Sequence, residues 1–319
     1  MYKYIFKRVL MMIPVLIGMT IIVFTLMYFS PGDPVEILLG TEASQASKDA
    51  LRADLGLDDP YIIQLGTYIK NAFLKFDLGK SYRSKLPVNQ EILSRFPVTL
   101  RLTVNGVLIG IVLGIIAGIV SAVKQYSFLD KFATTVALFG ISCPAFWLAL
   151  MLVLIFSIKL GILPVSGSYG FEYWILPSLT LGLQTSGIIM RMTRSSMLDV
   201  IRQDYIRTAR AKGQTEFVVV MKHAFRNALM PIVTVIGLQI CIQLAGAVLT
   251  ESVFALPGIG KYMVESINQR DYPSVQGTVL FVGVLCIMVN LIVDIIYAFI
   301  DPKIKSVYKT SKKVIKNEN

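Results

Sequence analysis

The sequence predicts an all-α polytopic membrane protein with six transmembrane helices and both termini in the cytoplasm. Three observations carry that reading. The 319 residues are 55% hydrophobic and only 16% charged, an apolar excess larger than a soluble domain of this length needs. The excess is clustered into runs of the ~20 apolar residues that a helix needs to cross a hydrocarbon core of ~30 Å. The charges are sorted by side. With the amino terminus inside, the cytoplasmic segments hold 19 of the 31 basic residues against 6 acidic ones, and the external segments hold 12 against 13. This is the positive-inside bias. A net charge of +11 spread in this way points to membrane lipid as a partner and excludes nucleic acid.

Residues 1–30 form the first transmembrane helix. It follows a basic start (Lys3, Lys7, Arg8), but its apolar run is longer than the core of a signal peptide and no small-residue cleavage site follows, so it reads as an uncleaved anchor. Residues 31–98 form an extracytoplasmic loop with short helices. Asp59-Pro60 reads as an N-cap followed by proline at the first helical position. Tyr61, Leu65, Tyr68, Ala72, Phe73 and Phe76 then recur at helical spacing, with one face expected on the protein or the bilayer surface. A shorter helix near 47–55 is expected to stop at Gly56, and Gly79 ends the longer one or the turn beyond it.

A five-helix core occupies residues 99–300, with spans at about 99–123, 134–158, 174–193, 230–252 and 277–300. The span at 174–193 has the weakest signal and carries Pro177, which a membrane helix tolerates when neighbours satisfy the freed backbone groups. Cys143, Cys241 and Cys286 fall inside spans without ligand-like spacing and read as packing residues. Residues 301–319 are a basic cytoplasmic tail.

The cytoplasmic loop 194–229 is far too long for a turn. Leu198, Ile201, Tyr205, Thr208 and Ala209 make one helical stripe, and after Gly213 the set Phe217, Met221, Ala224, Phe225 and Ala228 makes a second. Two short amphipathic helices broken at a glycine are expected, with Arg202, Arg207, Arg210, Lys222 and Arg226 on their other faces. Such a pair either rests on anionic lipid or docks on a protein whose motion it passes into the adjoining spans.

No energy source is visible in the chain. Leu74–Ser81 ends in Gly-Lys-Ser but lacks the leading glycine of a phosphate-binding loop, and Gly258-Ile259-Gly260-Lys261 fails likewise. Asp294 is the one acidic residue well inside a span. It lies six residues, ~9 Å, before the end of the last helix, nearer the cytoplasmic edge than the midplane. Pairing with Arg191, Arg194 or Asn290 is the favoured reading over proton relay. His223 stands alone, without a metal-binding or proton-relay companion. No nucleophile-and-base motif is present, so the chain does not read as an enzyme. Gln239 and Gln243, one turn apart, either face a pathway or hydrogen-bond between helices.

The run DYIRTARAKG from Asp204, followed by HAFRNALMP ending at Pro231, resembles the EAA loop of ABC importer permeases, in the version of the dipeptide, oligopeptide and nickel branch. Arg207, Thr208 and Ala209 stand where the motif has Glu-Ala-Ala before Gly213, so no role for a glutamate is carried over. Phe225-Arg226 stand where the general motif has Leu-Pro. Further matches are Pro31-Gly32-Asp33-Pro34, Leu55-Gly56-Leu57-Asp58, Asp77-Leu78-Gly79-Lys80-Ser81, Pro257-Gly258-Ile259-Gly260, Arg270-Asp271-Tyr272-Pro273, Val289-Asn290 and Asp301-Pro302. Together they resemble the first of the two permeases of such systems, in a bacterial or archaeal cell membrane.

The resemblance implies a type I importer permease fold of one plus five helices, forming half of a pathway for di- or oligopeptides. It also implies a second homologous permease, two cytoplasmic ATP-binding subunits and an extracytoplasmic substrate-binding protein, with no cofactor in this chain. Tyr205, Arg207, Thr208, Ala209, Gly213, His223, Arg226, Asn227 and Pro231 would form the ATPase-coupling loop. Gln239, Gln243, Asn290 and Asp294 are the candidates for pathway or helix contact. Import of nickel or a metal chelate by the same fold is the near alternative, and a non-transporting membrane scaffold or sensor is the alternative of another class.

Overall fold

The structure, a computed structural model, describes residues 2–30, 32–40 and 42–300. The basic tail at 301–319 and its Asp301-Pro302 pair lie outside the described residues. In chain order the helices are α1 (Tyr2–Tyr28), α2 (Pro34–Leu39), α3 (Gln45–Asp54), α4 (Tyr61–Leu74), α5 (Val88–Val123), α6 (Phe128–Ser142) and α7 (Ala145–Leu152). They continue as α8 (Ile175–Ile201), α9 (Asp204–Ala211), α10 (Glu216–Val218), α11 (Arg226–Gly246), α12 (Val248–Val253), α13 (Ile259–Asn268) and α14 (Tyr272–Ile300). Among the described residues there is no strand beyond an isolated bridge between Lys80 and Pro87. Among the described residues four helical stretches are long and apolar enough to cross a membrane on their own, and a fifth follows if α6 and the helix after it count as one bent span.

The bend has a local cause. Pro144 cannot donate to a helix and forces Cys143 out of the helical region, where it sits at φ −74, ψ 129. The segments Phe128–Ser142 and Ala145–Lys159 therefore meet at 106°, so the expected span at 134–158 is a broken one. The freed Cys143 carbonyl accepts a 2.9 Å bond from Gln184 Nε2. The expected span at 230–252 likewise divides at Ala247, where α11 gives way to α12. The helix expected at 174–193 is α8, 27 residues long. Pro177 causes it no kink, because it lies in the first turn, where backbone N–H groups lack intrahelical acceptors anyway.

The chain divides into two compact units, one of Lys7–Thr99 with Pro257–Ile287 and one built on Leu100–Leu256 with the last helix from Met288. In the first unit a buried carboxylate ties the external loop to the chain before α14. Asp271, 3% exposed, accepts from Ser81 Oγ at 2.5 Å, Tyr82 N at 3.0 Å and Ser274 Oγ at 2.8 Å. Ser274 in turn accepts from Tyr262 Oη at 2.8 Å, and the Arg95 guanidinium lies 4.4 Å over the Tyr262 ring. Burial, and then the Asp271 charge, push the Tyr82 hydroxyl up to about 12. Helix α3 ends as expected at Gly56, whose φ of +64 lets Leu57 N reach the Arg52 carbonyl at 3.0 Å. The Asp59 cap does not form. Pro60 is the capping residue of α4 and makes no side-chain bond, while Gln64 folds back onto the Leu57 and Asp59 carbonyls at 3.0 and 2.8 Å.

The second unit is organised around α8. A Cβ added at Gly106, Gly110, Gly114 or Gly118 of α5 would stand 2.9, 2.5, 2.8 or 2.5 Å from Leu181, Thr185, Ile189 or Thr193 of α8. Both series advance by four residues, so one glycine row receives one side-chain row over three helical turns. On its other side α8 presents Gly187 to the Ala137 carbonyl of α6, where an added Cβ would lie at 2.7 Å. About half of α8 is buried by such neighbours. A helix enclosed by protein has no lipid-facing requirement for apolarity, which is why its hydropathy is low.

The glycine row gives a signed prediction. Gly118→Ala places a methyl against Thr193 and the Met190 carbonyl. The overpacking cost of about 1–3 kcal/mol should exceed the ~1 kcal/mol that alanine gains over glycine in a helix. Gly66→Ala in α4 meets nothing within 4 Å and should stabilise by about 0.5–1 kcal/mol. Thermal unfolding of the purified chain in detergent should move down for the first substitution and up for the second.

Candidate functional site

The loop between α8 and α11 has an inner face set into the helical core and an outer face left bare. After Ile201 the helix breaks at Arg202–Gln203, and α9 restarts at Asp204. Ile206 and Ala209 point inward and join Val219, Val220, Ala224 and Ala228 in a cluster with Ala122, Ile189, Met197 and Ile232. This anchorage leaves little freedom for α9 to move apart from α8 and α11.

The outer face differs from the expected one. Tyr205 is 44% exposed, Phe217 75% and Met221 37%, although each was read on one stripe with residues that are buried. The stripes were phased as though each helix ran on without interruption. The break at Arg202–Gln203 interrupts the helical period before α9, and Ile206 rather than Tyr205 shares the buried face with Ala209. After α10 the chain takes a π-helical turn, Val219–Phe225, whose i→i+5 bonding rotates the following side chains. Ala209, Ala224 and Ala228 of those stripes are buried.

The turn between the two helical pieces is set by Gly213, at φ +77 with open space around an added Cβ. Its N–H bonds the Arg210 carbonyl at 2.9 Å. Arg210 closes the turn through a fork to Glu216, Nε–Oε2 3.1 Å and Nη2–Oε1 2.6 Å. His223 Nε2 lies 2.7 Å from Gln214 Oε1, and Asn227 Nδ2 donates to the His223 carbonyl at 2.8 Å. Histidine and asparagine of the motif therefore brace the loop. Arg207, Thr208, Arg226 and Pro231 are exposed. Thr208 Oγ1 bonds back to the Asp204 carbonyl at 3.1 Å, and Arg207 approaches Asp204 only at 3.8 Å.

A second acidic residue near this loop went unread in the sequence. Asp130, at the start of α6, is 3% exposed and is gripped by Arg194 of α8, Nε–Oδ1 2.8 Å and Nη2–Oδ2 2.9 Å. It also accepts from Ser121 Oγ and from Tyr126 N at 2.8 Å. The signal was available as one acid in the short basic loop 124–131, followed along the chain by an arginine just past the end of the span at 174–193. Arg194, one of the three partners expected for Asp294, is engaged by Asp130.

Of the pathway candidates, Gln243 is 5% exposed and donates from Nε2 to Thr185 Oγ1 at 2.7 Å, joining α11 to α8. Gln239 is buried, Asn290 exposed and Asp294 half-buried.

With the geometry in hand, residues 110–306 match the family described as binding-protein-dependent transport system inner membrane component. Residues 1–103 match the companion description for the amino-terminal part of such membrane components. The chain belongs to this family. It is 44% identical to the dipeptide transport system permease protein of Alkalihalophilus pseudofirmus, over 96% of this chain and 100% of that protein. It is 43% identical to the glutathione transport system permease protein of Escherichia coli strain K12, over 96% of this chain and 99% of that one. Among solved structures, an amino acid ABC transporter chain aligns at TM-score 0.52 and 14% identity, covering 65% of this chain and 93% of that chain. A chain of the inward-facing MetNI methionine ABC transporter aligns at TM-score 0.54 and 17% identity, covering 66% and 96%. The fold is that of a type I importer permease, and the chain is a transport permease of the inner membrane, not an enzyme.

The Asp130–Arg194 pair supplies the test of the site's scaffold. Removing one partner leaves the other charge in a largely buried position, so Arg194→Met and Asp130→Asn should each destabilise the permease by about 3 kcal/mol. The double variant should lose less than the sum. A double-mutant cycle on thermal unfolding measures the difference.

Proposed function

We propose that this permease forms one half of the path by which an ATP-driven importer takes up short peptides. A second, homologous permease completes the path, two cytoplasmic ATP-binding subunits drive it, and an extracytoplasmic binding protein delivers the cargo. The observation that carries the reading is the bare outer face of the loop, with Tyr205, Phe217 and Met221 exposed on a segment whose inner face is locked into the core. Exposed aromatics on a rigid support are the kind of anchor that fills a partner's pocket. The charged groups around them, Arg207, Lys222 and Arg226, suit a polar rim. Motion of a subunit docked there would pass into α8 and α11, because the loop cannot yield independently.

The peptide cargo is supported by full-length similarity to permeases named for dipeptides and for glutathione, itself a short peptide. No observation favours nickel or a chelate. The chain needs no cofactor for this role, since the chemical step belongs to the ATP-binding subunits.

In vesicles carrying the whole complex, Tyr205→Asp and Phe217→Asp should each lower ATP-driven uptake of a labelled dipeptide at least tenfold. Membrane insertion and thermal stability of the permease should stay unchanged, because both side chains are exposed. Uptake that persists in both variants would overturn the docking assignment. Calorimetry of the binding protein against dipeptides and a nickel chelate tests the cargo separately.

A further inference from the structure

Helix α4 and the turn after it carry apolar side chains that no other part of the unit covers. Ile62 is 78% exposed, Ile63 52%, Leu74 74% and Phe76 77%. The outward arc of α4 runs through Ile62, Ile63, Gly66, Thr67, Lys70 and Leu74, so its single charge is Lys70. Helix α3 of the same unit gives the contrast. It buries nothing and carries Lys48, Asp49, Arg52 and Asp54 on ten residues. One surface helix is dressed for water and the other is not.

The depth of α4 is fixed by its contacts. Tyr61 Oη lies 2.6 Å from Thr25 Oγ1, and the Tyr61 ring meets Tyr28 and Phe24 at centroid distances of 5.1 and 5.9 Å. The Tyr68 ring lies 5.7 Å from that of Phe24, and Tyr68 lines a small cavity with Met19, Thr20, Val23, Gln276 and Leu280. Those α1 residues belong to the apolar run Leu10–Tyr28, of mean hydropathy 2.5. From Tyr61 to Tyr68, then, α4 follows the outer turns of a membrane span. The Phe76 turn stays at this level, since Leu78 lies 3.2 Å from where a Cβ on Gly277 would stand, beside Gln276.

Phe76 is displayed by construction. Past the end of α4 it holds φ +53, a left-handed conformation that costs a bulky residue about 1–3 kcal/mol. Asn89 clamps the turn, donating to the Phe76 carbonyl and accepting from Leu78 N at 3.2 Å. The Asn71 carbonyl accepts from Lys75 N and Asp77 N at 3.1 and 3.0 Å. The register expected to place Phe76 on one face with Tyr61 and Tyr68 therefore ends at Leu74, and the turn leaves the ring exposed.

We propose that α4 and the Phe76 turn form an anchor in the outer leaflet of the bilayer. Ile62, Ile63, Leu74 and Phe76 sit at the boundary between headgroups and acyl chains, and Lys70 and Lys75, both exposed, extend to the lipid phosphates. The occupant is lipid because the apolar surface continues that of α1, and Phe29, the residue just past its end, is itself 75% exposed. The anchor holds the external unit at a fixed height against the membrane.

Nitroxide labels test this in the full chain reconstituted in phosphatidylethanolamine–phosphatidylglycerol vesicles, with Cys143, Cys241 and Cys286 replaced by alanine. Labels at Ile62→Cys, Leu74→Cys and Phe76→Cys should collide with dissolved oxygen at least threefold more than with a water-soluble nickel chelate. A label at Lys48→Cys on α3 should show the reverse. An excess of chelate collisions at the three α4 positions overturns the proposal. So does free access of both reagents that is lost only on adding the binding protein, which would make the patch a protein-docking surface.

Discussion

The close approach of α5 and α8 is the constraint on which the second unit depends. A glycine every fourth residue from Gly106 to Gly118 lets α8 settle against the α5 backbone, with Leu181, Thr185, Ile189 and Thr193 filling the row. In lipid there is little hydrophobic reward for bringing two helices together, so packing contact and hydrogen bonds must supply it. The glycine row maximises the first, and the Gln243–Thr185 bond at 2.7 Å adds the second from α11. Once α8 is fixed, Ser178, Thr180, Thr185, Thr193 and Ser196 are buried in protein, and Arg194 is in place to meet Asp130.

That placement ties the loop between α8 and α11 rigidly to the helices around it. Ile206, Ala209, Val219 and Val220 belong to the same cluster as Ile189 and Met197 of α8 and Ile232 of α11. Ile189 also packs against Gly114, so one side chain belongs both to the glycine row and to the loop's foundation. A load on Tyr205 or Phe217 therefore reaches α5 through contiguous contacts, without needing a separate flexible hinge. Gly213 supplies the left-handed turn that orients the two faces. The Arg210–Glu216 fork then holds them, so the glycine sets a shape more than it permits a motion.

Hydropathy, charge asymmetry and the loop motif made the fold class and the family legible in the sequence. Finer features were lost where helical phase is interrupted. Tyr205 was misplaced because a two-residue break precedes α9, and Phe217 and Met221 because a π-helical turn follows α10. Neither event has a signature in apolar spacing, which assumes an unbroken 3.6-residue period. The kink at Pro144 was readable from the proline rule but was masked by apolar residues on both sides. The glycine row stood in plain view as four glycines at a spacing of four. The Asp130–Arg194 pair needed the third dimension, because 64 residues separate its members.

Exposed apolar residues occur both on the coupling loop and on α4, and charge decides how each is read. Around Tyr205 and Phe217 stand Arg207, Arg210, Lys222 and Arg226, beside Glu216, a density of charge that acyl chains would not accept but a protein partner matches with its own. The outward arc of α4 holds Lys70 alone, and the helix is tied to residues 19–28 of a membrane span. Burying an unpaired charge in hydrocarbon is costly, while burying aliphatic groups there costs nothing. The two surfaces therefore sort to different partners by the same transfer energetics that placed the spans themselves.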